Sequence, residues 1–184
     1  MRLTGHDSQL LRDAAFASVE FGLVHGYQMS VSELDYPTLL RTEQATFVTL
    51  RNAGELLGCV GTLRAHRPLV CDVVHNAYHA GFSDPRFPAL TVEQRAGLDL
   101  HISVLSPLEP LIIRSENDLL AQLRRGVDGL LIEEEDLAAT FLPSMWPRLP
   151  EPRAFVRALK EKAHLPADYW SERIRAFRYT AEEL

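Results

Sequence analysis

The chain has 184 residues, of which 46% are hydrophobic and 24% are charged. These fractions are typical of a soluble globular protein and exclude a disordered, collagen-like or membrane-embedded chain. The net charge of -6 argues against a dedicated binder of nucleic acid or anionic membrane, because neutralising phosphates needs a segregated basic face.

The first residues carry no secretory pattern. Residues 1–7 lack a basic stretch followed by an apolar core and a cleavage site, so we expect a cytoplasmic protein. Cys59 and Cys71 are too few for a disulfide scaffold, and a reducing compartment keeps both as thiols.

Hydrophobic periodicity predicts helices and strands in irregular alternation through the first 105 residues. Asp7 and Gly26 suit the two ends of the first helix. Two prolines, Pro85 and Pro88, forbid regular pairing around them and predict a loop. The predicted elements are a helix over 8–25, a hairpin of strands 45–50 and 56–63, a helix from 69 to before 81, a loop over 83–88, a short helix after 91, and a strand over 98–105.

The second part of the chain repeats this mixture. An acidic run, Glu133–Asp136, is interpreted as the solvated turn of a hairpin. Hairpins mixed with helices, without regular βαβα alternation, predict an α+β fold. The elements here are a short helix over 117–125, a hairpin over 127–141, a helix over 152–163 and a strand over 174–180.

Glycines surround one cysteine of the first hairpin. Gly54, Gly58 and Gly61 do not form a dinucleotide-binding fingerprint, because their spacing differs from it and they do not open a helix. Glycine within a strand marks a bulge or the close approach of another group. That group is either a ligand or another part of the chain.

Cys71, His75 and His79 recur every four residues, as metal ligands on one helix would. Positions 71 and 79 are about 12 Å apart along a helix, too far for one zinc ion that reaches its ligands at about 2.0–2.3 Å. All three lie opposite the apolar stripe, so we expect solvent-exposed histidines and no metal site.

Cys59 is the better candidate for chemistry. A thiol becomes a strong nucleophile near neutral pH when a cation, a helix N-terminus or a base stabilises its thiolate. His66 and His101 are the candidate bases, and Asp84 is the candidate orienting group. The alternative is that Cys59 is a small buried hydrophobe, the commoner role of a free cysteine.

Five segments keep a common order over most of the chain and carry a family resemblance. They are Leu57–Thr62, Asp84–Pro88, Ser103–Pro110, Thr140–Pro143 and Leu159–Ala163. Together they resemble the AMMECR domain family, whose bacterial and archaeal members are called AmmeMemoRadiSam system protein A.

The resemblance implies an α+β fold of two unequal lobes, built from mainly antiparallel sheet backed by helices. Within a single AMMECR-type domain over 1–184, we expect a larger lobe of residues 1–44 with 97–184, and a smaller lobe of residues 45–96. The resemblance also implies association with a Memo-like protein and a radical-SAM protein. It names no reaction and no cofactor.

The resemblance places the site at the glycine-cysteine segment. This segment carries Gly58, Cys59, Gly61 and Thr62, and Asp84, Arg86 and Ser103 of the other motifs accompany it. With His101 added as the candidate base, the expected catalytic residues are Cys59, His101 and Asp84, and the expected substrate-binding residues are Gly58, Gly61, Thr62, Arg86 and Ser103. The leading interpretation is therefore a cytoplasmic accessory or modifying component that uses a cleft around Cys59. The alternative is a non-catalytic protein-binding or scaffold module whose loop presents Asp84 and Arg86.

Two residues depart from the family pattern. The family usually has arginine where this chain has Leu57, and glutamate where it has His101. If the family's arginine and glutamate form an ion pair across neighbouring strands, replacing only one of them would leave an unpaired, partly buried charge. Replacing both avoids this cost. We therefore predict that Leu57 and His101 contact each other. We also expect an ordered loop at Asp84–Pro88, packed by Phe87, with Arg86 paired to a carboxylate.

Overall fold

A computed structural model describes residues 3–184. In this range the chain has four α-helices and two four-stranded antiparallel sheets, which confirms the α+β class. No helix within the range is long and apolar enough to cross a bilayer. The helices are α1 (Gly5–His25), α2 (Leu69–Phe82), α3 (Glu116–Gln122) and α4 (Pro152–Lys162). The strands are β1 (Thr46–Asn52), β2 (Glu55–Gly61), β3 (Leu98–Leu105), β4 (Glu109–Leu111), β5 (Gly129–Glu134), β6 (Leu137–Phe141), β7 (Arg175–Tyr179) and β8 (Ala181–Glu183).

The first helix begins earlier than its sequence pattern predicts. Thr4 is the N-cap, and its hydroxyl accepts the N–H of Asp7 at 3.1 Å. The Asp7 carboxylate accepts the N–H of Thr4 in return at 3.0 Å, which completes a capping box. Asp7 is therefore the third helical residue and not the cap. Gly26 ends the helix in the left-handed conformation, as predicted.

The first sheet has the strand order β2-β1-β3-β8 and packs one face against α1 and α2. Even-numbered residues of β1 and β3, such as Val48 and Ile102, are fully buried in this core. Odd-numbered residues, such as Thr49 and His101, point to the opposite face because side chains alternate along a strand. We call this opposite side, which carries Thr49, Cys59, His101 and Ser103, the open face.

A β-bulge in the hairpin decides which face Cys59 occupies. Arg51 pairs with Leu56, but Leu50 pairs with Gly58, so Leu57 is the extra residue. Without this bulge Cys59 would oppose Val48 and point into the core. The bulge moves it opposite Thr49 and onto the open face.

The second sheet has the order β4-β7-β5-β6, and α3 and α4 pack on it. Its core includes Trp146, which stacks on Phe155 at a ring distance of 4.2 Å and donates to the carbonyl of Asp128 at 2.7 Å. The acidic run departs from the prediction of a solvated turn. Glu134 belongs to β5 and is buried, and the exposed turn begins only at Glu135.

The chain forms two compact units. One consists of residues up to Leu105 together with Glu182–Leu184, and the other of Ser106–Ala181. This boundary differs from that of the predicted lobes. Hydrogen bonding along β1 holds β3 with the hairpin, and the Ser18 hydroxyl of α1 donates to the Val74 carbonyl of α2 at 2.7 Å. The hairpin, α1 and β3 therefore belong to one unit.

Candidate functional site

Cys59 is half-buried on the open face, in the edge strand β2. Its cross-strand neighbour is Thr49, whose hydroxyl donates to the Cys59 sulfur at 3.2 Å. A hydroxyl donor at this distance stabilises a thiolate more than a neutral thiol. Thr49 is opposite Cys59 only because of the bulge at Leu57, and the sequence analysis did not predict this pairing.

Side chains of the loop after α2 form hydrogen bonds with the backbone of Cys59. The N–H and carbonyl of Cys59 lie on the outer side of the edge strand β2, where side chains of this loop bond them. Asp84 accepts the Cys59 N–H at 2.9 Å, and Arg86 donates to the Cys59 carbonyl at 2.9 Å. The two side chains thus replace the missing partner strand and protect this edge from further pairing.

Asp84 and Arg86 also bind each other in a bidentate ion pair. Arg86 donates from Nε to Oδ1 at 2.9 Å and from Nη2 to Oδ2 at 2.6 Å, which confirms the predicted carboxylate partner. These hydrogen bonds, aided by the N–H of Cys59, lower the pKa of Asp84 to about 2 against the opposing effect of burial. Asp84 is therefore an ionised carboxylate near neutral pH.

Arg86 brings positive charge to the thiol. The hydrogen bond with Asp84 is the main cause that raises the pKa of Arg86, and interaction with the Cys59 side chain raises it further. The Arg86 side chain is 56% exposed. Phe87 is only half-buried, and its ring lies 5.3 Å from the Arg86 guanidinium carbon. Asp84 is the buried residue of the segment, and Leu90, two residues beyond its end, is buried as well.

Both glycines of the segment have a packing explanation. A Cβ on Gly58 would lie 1.9 Å from the carbonyl oxygen of Ala80 in α2, and one on Gly61 would lie 2.2 Å from the Phe47 ring. The close group is therefore another part of the chain in both cases. Their predicted role in substrate binding remains untested.

Thr62 and Ser103 are engaged with protein groups. The Thr62 hydroxyl donates to the buried Asp72 carboxylate at 3.0 Å. Ser103 donates to Glu183 of β8 at 2.8 Å and is itself buried. Both hydroxyls hold strands and helix together, and their predicted role in substrate binding also remains untested.

His101 shares the open face with Cys59 but does not contact it. Thr49 pairs with Cys59 on one side and with His101 on the other, so two strand spacings of about 4.8 Å separate the histidine from the cysteine. The His101 ring bonds Asp99 at 2.8 Å. The other candidate base, His66, bonds the Arg64 carbonyl at 2.9 Å.

The predicted contact between Leu57 and His101 is wrong. Strand β1 lies between β2 and β3, so the two residues are not on neighbouring strands. Leu57 also packs against the buried core, whereas His101 is exposed on the open face. The two departures from the family pattern are therefore independent.

The α2 histidines differ from the expectation of solvent exposure. His75 is half-buried and bonds Gln28 at 3.1 Å, and its ring lies 4.2 Å from that of His79. Burial lowers the pKa of His75 to about 4, with Arg67 and His79 adding to the effect. Within residues 3–184, no three His, Cys, Asp or Glu side chains are grouped to hold a metal ion.

Comparison with known proteins agrees with the family that the motifs indicate. The AMMECR1 family model matches residues 13–184. The chain belongs to the AMMECR1 family. A Methanothermobacter thermautotrophicus protein is 33% identical over 154 residues, which cover 80% of this chain and 78% of that protein. Protein TK0174 of Thermococcus kodakarensis is 32% identical over 159 residues, with 80% and 75% covered.

The fold is similarly close to a solved structure. The crystal structure of uncharacterized protein PH0010 from Pyrococcus horikoshii matches with a TM-score of 0.87 and 28% identity. The match covers 95% of this chain and 88% of that one.

Proposed function

We propose that this AMMECR1-family chain is a cytoplasmic accessory or modifying component that acts with a Memo-like protein and a radical-SAM protein, with Cys59 as its reactive group. Membership of the family supports the choice of partners. The observation that carries the chemical part is the setting of Cys59, whose sulfur accepts from Thr49 and whose carbonyl accepts from the Arg86 guanidinium.

In this proposal Arg86 takes the activating role, not a histidine. A guanidinium and a hydroxyl donor both favour the thiolate, which is the nucleophilic form of cysteine. Asp84 positions Arg86 through the bidentate pair and holds the cysteine backbone through its N–H. The thiol proton leaves to solvent or to a partner, since His101 stands beyond Thr49.

The alkylation rate of Cys59 by iodoacetamide at pH 7 tests the chemical part. A Cys71→Ser background leaves Cys59 as the single reporter, because the chain has two cysteines. We expect Arg86→Gln to slow alkylation about 5- to 10-fold and Thr49→Val about 2- to 3-fold. His101→Gln is the matched control on the same face and should stay within about 2-fold of the parent.

Two results contradict this chemistry. Equal rates in the parent and Arg86→Gln, with unchanged circular dichroism, would mean that Cys59 is only structural. Slow alkylation of His101→Gln alone would return the role of base to the histidine.

Copurification tests the partners. The tagged chain is coexpressed with the Memo-like and radical-SAM proteins of its own organism, as wild type and as Cys59→Ser. We expect the wild type to retain at least one of them, and recovery of neither contradicts the proposed partnership. The scaffold alternative predicts that Cys59→Ser also keeps every activity of the assembly, whereas our proposal predicts binding without activity.

A further inference from the structure

A recess lies in the unit of Ser106–Ala181, and none of the residues named for the Cys59 site lines it. It is an open groove of about 740 Å³, within the size range of ligand sites. The start of α3, the exposed side of α4 and the segment after α4 line it. We call it the Trp170 groove, because Trp170 also lines an adjoining pocket of about 290 Å³.

The α4 side of the Trp170 groove carries two arginines. Arg153 and Arg157 stand four residues apart on α4 and therefore share one helix face. Among the lining carboxylates, Glu116 is neutralised by the buried Lys160 at 2.7 Å. Asp168 is the other lining carboxylate, and Arg157 has Glu161 of α4 as its ion-pair partner.

Both arginines keep most of their donors unused. Arg153 makes one long bond to the Asn117 side chain at 3.4 Å, and Arg157 lies 3.5 Å from Glu161. A guanidinium offers five N–H donors in a planar fork that suits a carboxylate. These two groups are therefore available to an anionic ligand.

Trp170 contributes a second, independent signal. Its indole nitrogen is buried and has no acceptor among the described residues. An unsatisfied buried N–H is unfavourable, and native structures rarely retain one without a reason. An acceptor supplied by a ligand at Trp170 would satisfy it.

We propose that the Trp170 groove binds an extended acidic peptide segment of a protein partner. Four residues of helix place Arg153 and Arg157 about 6 Å apart along α4. Alternate residues of an extended strand are about 6.6 Å apart on one side, so an acid-x-acid segment matches the pair. A second pocket shares Trp170 with the groove, and its lining includes Arg114 and Glu172.

The test uses a fluorescein-labelled peptide of four Glu-Ser repeats and the full chain, followed by fluorescence anisotropy. We expect saturable binding that weakens at least about 10-fold in the double variant Arg153→Gln/Arg157→Gln. Arg148→Gln, an exposed arginine of the same unit that does not line the groove, is the matched control and should stay within about 2-fold. A Gln-Ser peptide should bind at least about 10-fold more weakly than the Glu-Ser peptide.

Intrinsic fluorescence locates the peptide. The chain has two tryptophans, and Trp146 is buried in the core, so a change on binding reports Trp170. Trp170→Phe should abolish that change. Cys59→Ser should bind the peptide like the wild type, which separates this proposal from the chemistry at Cys59.

Three results overturn the proposal. They are absence of binding up to about 1 mM peptide, an equal loss in Arg148→Gln, and full displacement by a few millimolar inorganic phosphate. The last would mean a site for small anions and not for a peptide.

Discussion

Gly58 has no room for a side chain, because the carbonyl oxygen of Ala80 occupies the space where a Cβ would stand. The last turns of α2 therefore approach β2 more closely than any other residue would permit. This approach sets the position of the loop that follows α2. Asp84 and Arg86 reach the backbone of Cys59 from that loop.

Replacing Gly58 with alanine should destabilise the protein by about 3 kcal/mol or more, because backbone and not a flexible side chain must move. Urea unfolding followed by circular dichroism measures the loss. Gly5→Ala is the control, since a Cβ at Gly5 meets no atom within 4 Å. A loss below about 1 kcal/mol for Gly58→Ala would show that α2 can move away from the strand.

At the scale of elements, one buried carboxylate joins α2 to the first sheet. Asp72 of α2 is fully buried and accepts the N–H and the hydroxyl of Thr46 at 2.9 and 2.7 Å. It also accepts from Thr62 at 3.0 Å and from Asn76 at 2.9 Å. The same carboxylate lies 3.3 Å from the Arg67 guanidinium. Every bond of this cluster crosses between elements or closes a turn of α2.

Removing this carboxylate leaves several buried donors unsatisfied. We expect Asp72→Ala to reduce the free energy of unfolding by about 3–5 kcal/mol. Asp13→Ala, an exposed acid of α1, provides the comparison and should change stability by less than about 0.5 kcal/mol. Similar losses in the two variants would mean that the cluster is not a principal link between α2 and the sheet.

Hydrophobic periodicity predicted the long helices and strands because each has one apolar face that repeats at the spacing of its structure. The α1, α2 and α4 helices and the β1-β2 and β5-β6 hairpins were all expected from apolar spacing. The short strands β4 and β8 were not, because three residues carry no measurable period. These two strands form by pairing with strands that are distant in the sequence, and the local spacing of apolar residues carries no information on such pairing.

The candidate site was predicted only in part, for a related reason. The motifs indicated Cys59, Asp84 and Arg86, and the structure joins these three. Thr49 was missed because its pairing with Cys59 depends on the hairpin register, and the separation of His101 from Cys59 follows from the strand order, in which β1 lies between them. A single bulged residue, Leu57, changes that register and reverses the face of every residue after it.

For the whole molecule, the free energy of unfolding measured against pH reports on both the α2 histidines and Asp84. Burial lowers the pKa of His75 to about 4 and also lowers that of His79. An unfolded histidine binds its proton near pH 6.5, so the unfolded chain takes up protons first as pH falls. The contribution of these histidines to the free energy of unfolding is fully present above about pH 6.5. It is lost progressively as the pH falls to about 4.

Asp84 affects the stability at lower pH than the histidines do. Its pKa is about 2 in the folded chain, held down chiefly by Arg86, against about 3.9 in an unfolded chain. Its contribution is therefore present above about pH 4 and is lost as pH falls toward about 2. The two ranges barely overlap, so each can be assigned by its own variant.

We therefore expect the free energy of unfolding to fall in two steps between pH 7.5 and pH 2.5. His75→Gln should flatten the upper step by about 1–2 kcal/mol and leave the lower step in place. Asp84→Asn should do the reverse, with a deficit of about 2 kcal/mol at pH 7 that shrinks by roughly half near pH 3. Urea unfolding followed by far-ultraviolet circular dichroism suits this test, because the two longest helices, α1 and α2, belong to the unit that holds both residues. A His75→Gln profile parallel to the wild type between about pH 6.5 and 4 would mean that His75 is protonated in the folded chain as readily as in the unfolded one.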